Sequence, residues 1–230
     1  ADGVIHLAFI HDFSNYEAAA RADWQAVEAM GLALEGSNRP MVIASGLLGF
    51  GSGRIGVESD LVAESSRRGR SEHLMLEFGK RGVRSAIVRL APSVHGAGDH
   101  GFVPLLIAAA RKHGVSAYVG EGANHWPAVH RLDAARLFRL ALEQASGGSV
   151  LHAAAEEGVR TREIAEVIGR RLSLPTASKT LEEAPQHWGF LGPIFAMDAR
   201  ASSALTQARF SWKPEHPGLL EDIAGDHYYG

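Results

Sequence analysis

At 230 residues, 46% hydrophobic and 21% charged, the chain has the make-up of a soluble globular protein with room for one large or two small domains. A formal net charge of −3 gives no long-range field to gather polyanions. The short basic run Arg67, Arg68, Arg70 is flanked by Glu64 and Glu72, so nucleic-acid binding is not expected. The absence of cysteine excludes disulfides, thiolate metal sites and cysteine nucleophiles.

The opening segment has no basic n-region, and His6 interrupts its apolar run, so it reads as a buried strand over 4–9 rather than a signal peptide. No stretch approaches the roughly 18 to 20 apolar residues of a membrane-spanning helix. A cytoplasmic protein with no membrane partner is the expectation.

Helical spacing of Ala20, Trp24, Val27, Ala29, Met30 and Leu34 predicts a helix over 16–34, ended by Gly36-Ser37-Asn38. Pro-Met-Val-Ile-Ala predicts a second strand at 40–44. A glycine-rich loop follows at 46–56, then a helix at 66–78 stopped by Gly79 and Gly82. Ser-Ala-Ile-Val-Arg-Leu predicts a third strand at 85–90. Beyond Pro92 a Gly- and His-rich loop runs over 94–101, then a helix over 103–113 and a short strand at 117–119. Residues 132–145 read as helix, 150–153 as strand, and Thr161 as the cap of a helix reaching 172, with Glu163 in its first turn. From Ser173 onward short helices alternate with Pro and Gly breaks. Strands alternating with helices predict a parallel sheet.

Five segments carry a family resemblance. Asp2-Gly3-Val4-Ile5-His6-Leu7-Ala8 is similar to the "D-x-V-I-H-L-A" strand of the extended short-chain dehydrogenases/reductases, the NAD(P)-dependent epimerase/dehydratase group. Arg39 to Gly46 resembles that family's next strand, which ends at the catalytic serine region. Val88-Arg89-Leu90-Ala91-Pro92-Ser93-Val94-His95-Gly96 resembles the strand and loop beside the nicotinamide. Val129-His130-Arg131-Leu132-Asp133-Ala134-Ala135 is similar to "V-x-D-v-A", and Phe210-Ser211-Trp212-Lys213-Pro214 to "L-G-W-x-P". Each is weak alone, and the five occur in the family's order.

The resemblance implies an α/β, Rossmann-like parallel sheet with a small C-terminal α+β substrate lobe. Residues 1–94, with 128–153 packing back, would form the second half of the NAD(P)-binding domain, and 95–127 with 154–230 the substrate lobe. The family's opening strand and Gly-x-x-Gly-x-x-Gly turn, which hold the cofactor's pyrophosphate, do not precede Ala1. The expectation is an atypical member lacking the N-terminal βαβ half, with little cofactor affinity in these 230 residues. Gly51-Ser52-Gly53-Arg54-Ile55-Gly56 is a literal Gly-x-Gly-x-x-Gly, but it follows the strand end too late and runs into Val57-Glu58-Ser59-Asp60, so it reads as an active-site loop.

The resemblance also implies NAD or NADP as cofactor and a small carbonyl or hydroxyl compound as substrate. His6, Leu7, Ala8, Phe9, Pro92, Ser93 and Val94 would line the cofactor, and His95, His100, Trp126 and His130 would touch substrate. The family protonates the carbonyl with a tyrosine acidified by a lysine four residues on. Matching through Glu72 puts Glu64 and Arg68 at those positions, leaving Arg68 to supply positive charge. Ser45 matches the catalytic serine, although an ungapped match through Phe50-Gly51 places Gly46 there instead.

A histidine such as His95 could act as general acid; equally, His130 and Asp133 could make helix-start and inter-domain hydrogen bonds. The pairs His95/His100 and His125/His130 lack accompanying carboxylates, so no metal is expected. The missing Tyr-x-x-x-Lys pair leaves a second reading open, a non-catalytic nucleotide-binding or regulatory protein. The exposed sheet edge invites dimerisation, and the resemblance implies a homodimer through the helices over 17–34 and 66–78 as the alternative route.

Overall fold

The computed structural model describes residues 1–11, 15–50, 53–63, 66 and 68–230. Gly51, Ser52, Glu64 and Arg67, singled out from the sequence, lie outside the described residues. In chain order the first elements are β1 (Val4–His6), α1 (Tyr16–Leu34), β2 (Pro40–Gly46), α2 (Gly69–Lys80), β3 (Arg84–Leu90), β4 (Ser93–His95) and α3 (Phe102–His113). There follow β5 (Ser116–Val119), β6 (His125–His130), α4 (Arg131–Gln144), β7 (Ser149–Ala153), β8 (Glu156–Arg160), α5 (Thr161–Leu172) and β9 (Thr176–Lys179). Four short helices close the chain: α6 (Ala184–Trp188), α7 (Leu191–Phe195), α8 (Ala204–Phe210) and α9 (Leu219–Ile223). Among the described residues no helix is long and apolar enough to cross a membrane.

The main sheet is wholly parallel in the order β1-β2-β3-β7. Such a sheet needs cover on both faces, and the alternation of side chains along its strands provides two apolar surfaces. Met41, Ile43 and Ile87 bury with Val27 of α1 and Met75 and Phe78 of α2. Val42, Ala86 and Val88 bury with Leu137, Phe138 and Ala141 of α4 and with Trp212. The helices α1 and α2 approach closely because position 31 has no side chain: a Cβ on Gly31 would lie 2.1 Å from Cε2 of the fully buried Phe78 ring. These three layers are the parallel α/β architecture that the strand–helix alternation predicts, in the Rossmann-like form that the family resemblance implies.

The other strands form a three-stranded sheet, β4-β6-β8, and a parallel pair, β5-β9. Their core gathers α3, α5, α6, α7 and α9 around Trp126, whose ring meets Phe195 edge-on at 5.1 Å.

Four strands differ from expectation. β4 lies where a Gly- and His-rich loop was predicted, β6 carries Pro127 at a register shift, β8 opens with two glutamates and a glycine, and β9 is a short polar strand. None presents the apolar run that signals a strand. β1 is shorter than predicted, so Leu7, Ala8 and Phe9 follow the strand rather than belong to it. Thr161 does not cap α5: it is the first helical residue, the cap position is Arg160, and its hydroxyl donates to Asn124 Oδ1 at 2.6 Å.

Candidate functional site

A cleft of about 980 Å³ opens beyond the carboxyl ends of β1, β2 and β3. Its floor is made by residues at or just past the strand ends: Leu7 and Phe9 after β1, Ser45 and Gly46 at the end of β2, Ala91 and Pro92 after β3. The remaining walls come from residues 47–50, 54 and 60–63, from Arg68 at the start of α2, from one face of α4, and from Phe102, Ile194 and Met197. Carboxyl ends of parallel strands are where open α/β sheets present loops and free backbone groups to ligands.

The electrostatics near Arg68 are organised by the buried Asp23 of α1. Asp23 accepts from Ser71 Oγ at 2.7 Å, lies 3.1 Å from His6 Nε2 and 3.9 Å from Arg68 Nη2. Arg68 also donates to the Ala44 carbonyl, and its guanidinium lies 4.3 Å from the Phe9 ring centroid. Phe9 also meets Tyr16, with ring centroids 5.5 Å apart, and Tyr16 lines the cleft. The hydroxyl of Ser45 makes no side-chain hydrogen bond within the described structure and borders the cleft.

Beneath the floor lies a buried ion pair. Arg89, 1% exposed, donates to both carboxylate oxygens of Glu72, the closest contact being Nη2 to Oε2 at 2.7 Å. Its guanidinium also packs 4.4 Å from the Phe50 ring and reaches His152 Nε2 at 3.2 Å. Since His152 Nδ1 donates to the Ser202 carbonyl at 2.8 Å, Nε2 must accept from Arg89, which fixes a neutral imidazole. Burial accordingly holds the His152 pKa below its ordinary value. Glu58 ties the 47–63 loop to α8 by accepting from the Thr206 N–H and hydroxyl, each at 2.7 Å.

Of the residues singled out from sequence, the structure brings Leu7, Phe9, Ser45, Arg68, Pro92 and Val94 together at the cleft. Others it places elsewhere. His6 is turned to Asp23, Ala8 is exposed, and Ser93 is buried on the opposite side of β4 from Val94. Trp126 is fully buried in the core, donating to the Met197 carbonyl at 3.2 Å, and does not line the cleft. His95 is 1% exposed and its Nδ1 lies 2.8 Å from Asp222 Oδ2. His130 stacks on His216 at 4.6 Å and accepts from the Leu132 N–H, and burial followed by the neighbouring His95 and His216 pushes its pKa down. His100 is exposed and outside the cleft.

The physical reason is parity. Along β4 successive side chains point to opposite sides, so Ser93 and His95 face the packed interior while Val94 borders the cleft; past β6 the chain turns into α4, which puts Arg131 at the cleft and leaves His130 buried. Asp133 belongs to that interior too. Burial alone would raise its pKa, but hydrogen bonds from His216 and from the backbone N–H groups of His216 and Glu215 hold it below the usual carboxylate value. Among the described residues no group of three or more His, Cys, Asp or Glu is arranged to hold a metal ion.

Tyr16 and Arg131 are among the cleft residues that escape a reading of the sequence. Tyr16 is far in sequence from α2, where the family's tyrosine is expected, yet its position at the first turn of α1 puts it beside the strand ends. Arg131 stands inside a segment whose motif draws attention to His130 and Asp133.

Comparison with solved structures shows the fold widely shared. MoeE5, solved in complex with UDP-glucose and NAD, is 20% identical with a TM-score of 0.74 over 97% of this chain and 77% of its own. The ADP-L-glycero-D-manno-heptose-6-epimerase of Helicobacter pylori is 17% identical, with a TM-score of 0.73 over 98% of this chain and 71% of its own. At such identities the likeness establishes a Rossmann-like α/β architecture. No protein-family model matches the chain. Two yeast proteins are much nearer in sequence: uncharacterized protein C2A9.02 of Schizosaccharomyces pombe, 50% identical over 99% of this chain and 78% of its own length, and uncharacterized protein YLL056C of Saccharomyces cerevisiae, 44% identical over 99% and 77%. The chain therefore belongs to the family that contains these two yeast proteins.

Proposed function

We propose that the protein is an NAD(P)-dependent oxidoreductase or epimerase-like enzyme acting on a small carbonyl or hydroxyl substrate. The observation that carries this reading is the cleft itself, placed beyond the carboxyl ends of three parallel strands and floored by small and apolar residues. The residues fit the nicotinamide end of such a cofactor. Phe9, Ala91, Pro92 and Val94 offer flat apolar contact, and Gly46, at which a Cβ would meet nothing within 4 Å, leaves room above β2. The cofactor supplies hydride transfer when bound. Structural neighbours solved with NAD support the same reading by analogy of fold.

The chain's own groups have assignable tasks. The Ser45 hydroxyl orients a carbonyl oxygen, and Arg68, braced by Asp23 and the Ala44 carbonyl, provides fixed positive charge at the wall. Tyr16 supplies the phenol that α2 lacks, delivering a proton to the substrate oxygen. A second reading, binding without turnover, is favoured by one observation: the position matched to the family's lysine holds Arg68, a guanidinium in place of an ammonium, and α2 carries no tyrosine.

Calorimetric titration of the intact protein with NAD+, NADH, NADP+ and NADPH, followed by a carbonyl-substrate screen, tests both. The enzyme reading expects micromolar binding of one nicotinamide pair and turnover that Tyr16→Phe abolishes while binding persists. Binding without turnover of any carbonyl supports the second reading, and no binding of any of the four forms contradicts both.

A further inference from the structure

Arg131 opens α4, and residues 131, 134, 135 and 138, spaced i, i+3, i+4 and i+7, form the helix face that looks into the cleft. The other arginines on the cleft walls are engaged. Arg54 pairs with Asp60 at 2.8 Å, and Arg68 is held by the Ala44 carbonyl with Asp23 at 3.9 Å. The carboxylates are engaged too, Asp60 by Arg54 and Glu72 by Arg89 at 2.7 Å. Arg131 has no carboxylate, carbonyl or aromatic partner among the described residues.

The loop after β4 lies close against the side chain and crosses it through Gly96 and Gly98, whose φ angles of +135° and +78° favour glycine. A Cβ on Gly96 would lie 3.1 Å from Arg131 Cγ, and one on Gly98 2.8 Å from Nη1. Tyr228 braces that loop by accepting from the Gly96 N–H and donating to Asp99, each at 3.0 Å. Asp99, the acidic residue of that loop, is thereby spent on Tyr228 and on the Gly101 N–H rather than on Arg131. A cation in the first turn of a helix is disfavoured by the helix dipole. An anion bound at the guanidinium would offset both the dipole and the missing partner.

We propose that Arg131 anchors an oxyanion, a carboxylate or phosphate carried by the substrate, through its planar fork of N–H donors. The inference rests on the cleft being the substrate site of the proposed enzyme, and it narrows the substrate to an anionic compound.

Calorimetric titration of the intact protein with two matched probe pairs tests it: pyruvate against acetone, and dihydroxyacetone phosphate against dihydroxyacetone. In the wild type the charged member of at least one pair should bind about tenfold or more tighter than its neutral partner, the loss expected for one charge-assisted contact. The pair that shows the preference identifies carboxylate or phosphate. Arg131→Gln should erase the preference and Arg131→Lys should retain part of it; because the side chain is exposed, both should melt at the wild-type temperature. A wild type without any charge preference, or an Arg131→Gln protein that keeps it, overturns the proposal. Titrating the same variants with NADPH separates the two readings. Lost charge preference with intact NADPH binding supports the anchor, whereas a charge preference that needs Arg131 in a protein that binds no nicotinamide overturns the cofactor reading alone.

Discussion

The pair β4–β6 has two faces with opposite characters. On one, Val94 borders the cleft and, one residue past β6, Arg131 stands without a partner among the described residues. On the other, His95, Trp126, Ala128 and His130 are at most 9% exposed and tied to α9 and to the segment around His216. The histidines and the tryptophan lie on the packed face, while the face that reaches the cleft is apolar within the strands, with Val94 beside the fully buried Val129. A histidine or tryptophan in a motif borders a cleft only if the local backbone turns it outward; here Val94 and Arg131 border it while their neighbours His95 and His130 are buried.

The largest effect that would break this contrast is on the packed face. Trp126→Ala should cost about 3 to 5 kcal/mol, the usual range for removing a large buried aromatic, read as a fall in the denaturant midpoint. A variant of near wild-type stability that loses substrate binding would place Trp126 in the site after all.

A smaller effect sharpens the contrast through pH. Burial lowers the pKa of His130, of His152 and of His187, the last to about 4. The unfolded chain takes up these protons near the ordinary value of 6.5, the folded chain only at lower pH. Stability is therefore fully present above about pH 6.5 and is lost as pH falls from there toward 4, on the order of 2 kcal/mol by pH 4.5. Thermal melts between pH 8 and 4.5 should show this decline, and it should be shallower in His130→Asn. A flat profile would mean these histidines are solvated in the folded protein.

Much of the architecture was legible in the sequence. The main-sheet strands β2, β3 and β7 announce themselves as apolar runs, and α1, α4 and α5 by helical spacing, because burial on both sheet faces and on one helix face dictates those patterns. The strands β4, β6, β8 and β9 were not legible: each is short, and polar or proline-containing residues break any alternation. The cleft was legible where it depends on strand ends, which is why Phe9, Ser45, Arg68, Pro92 and Val94 meet there. It was illegible where it depends on parity in a three-residue strand, since a one-residue slip would exchange His95 for Val94, and where β6 gives way to α4 between His130 and Arg131. Tyr16 illustrates a third case, a residue brought to the cleft by the start of α1 with no local motif to mark it.

Amide chemical-shift mapping of the intact protein during titration with NADPH and NADH tests most directly whether the cleft holds the nicotinamide. The cleft account predicts shifts at Leu7, Phe9, Ser45, Ala91 and Val94, with the amides of Trp126, His216 and Asp222 unmoved. Shifts concentrated on Trp126, His216 and Asp222, or no shifts with either nucleotide, would contradict it.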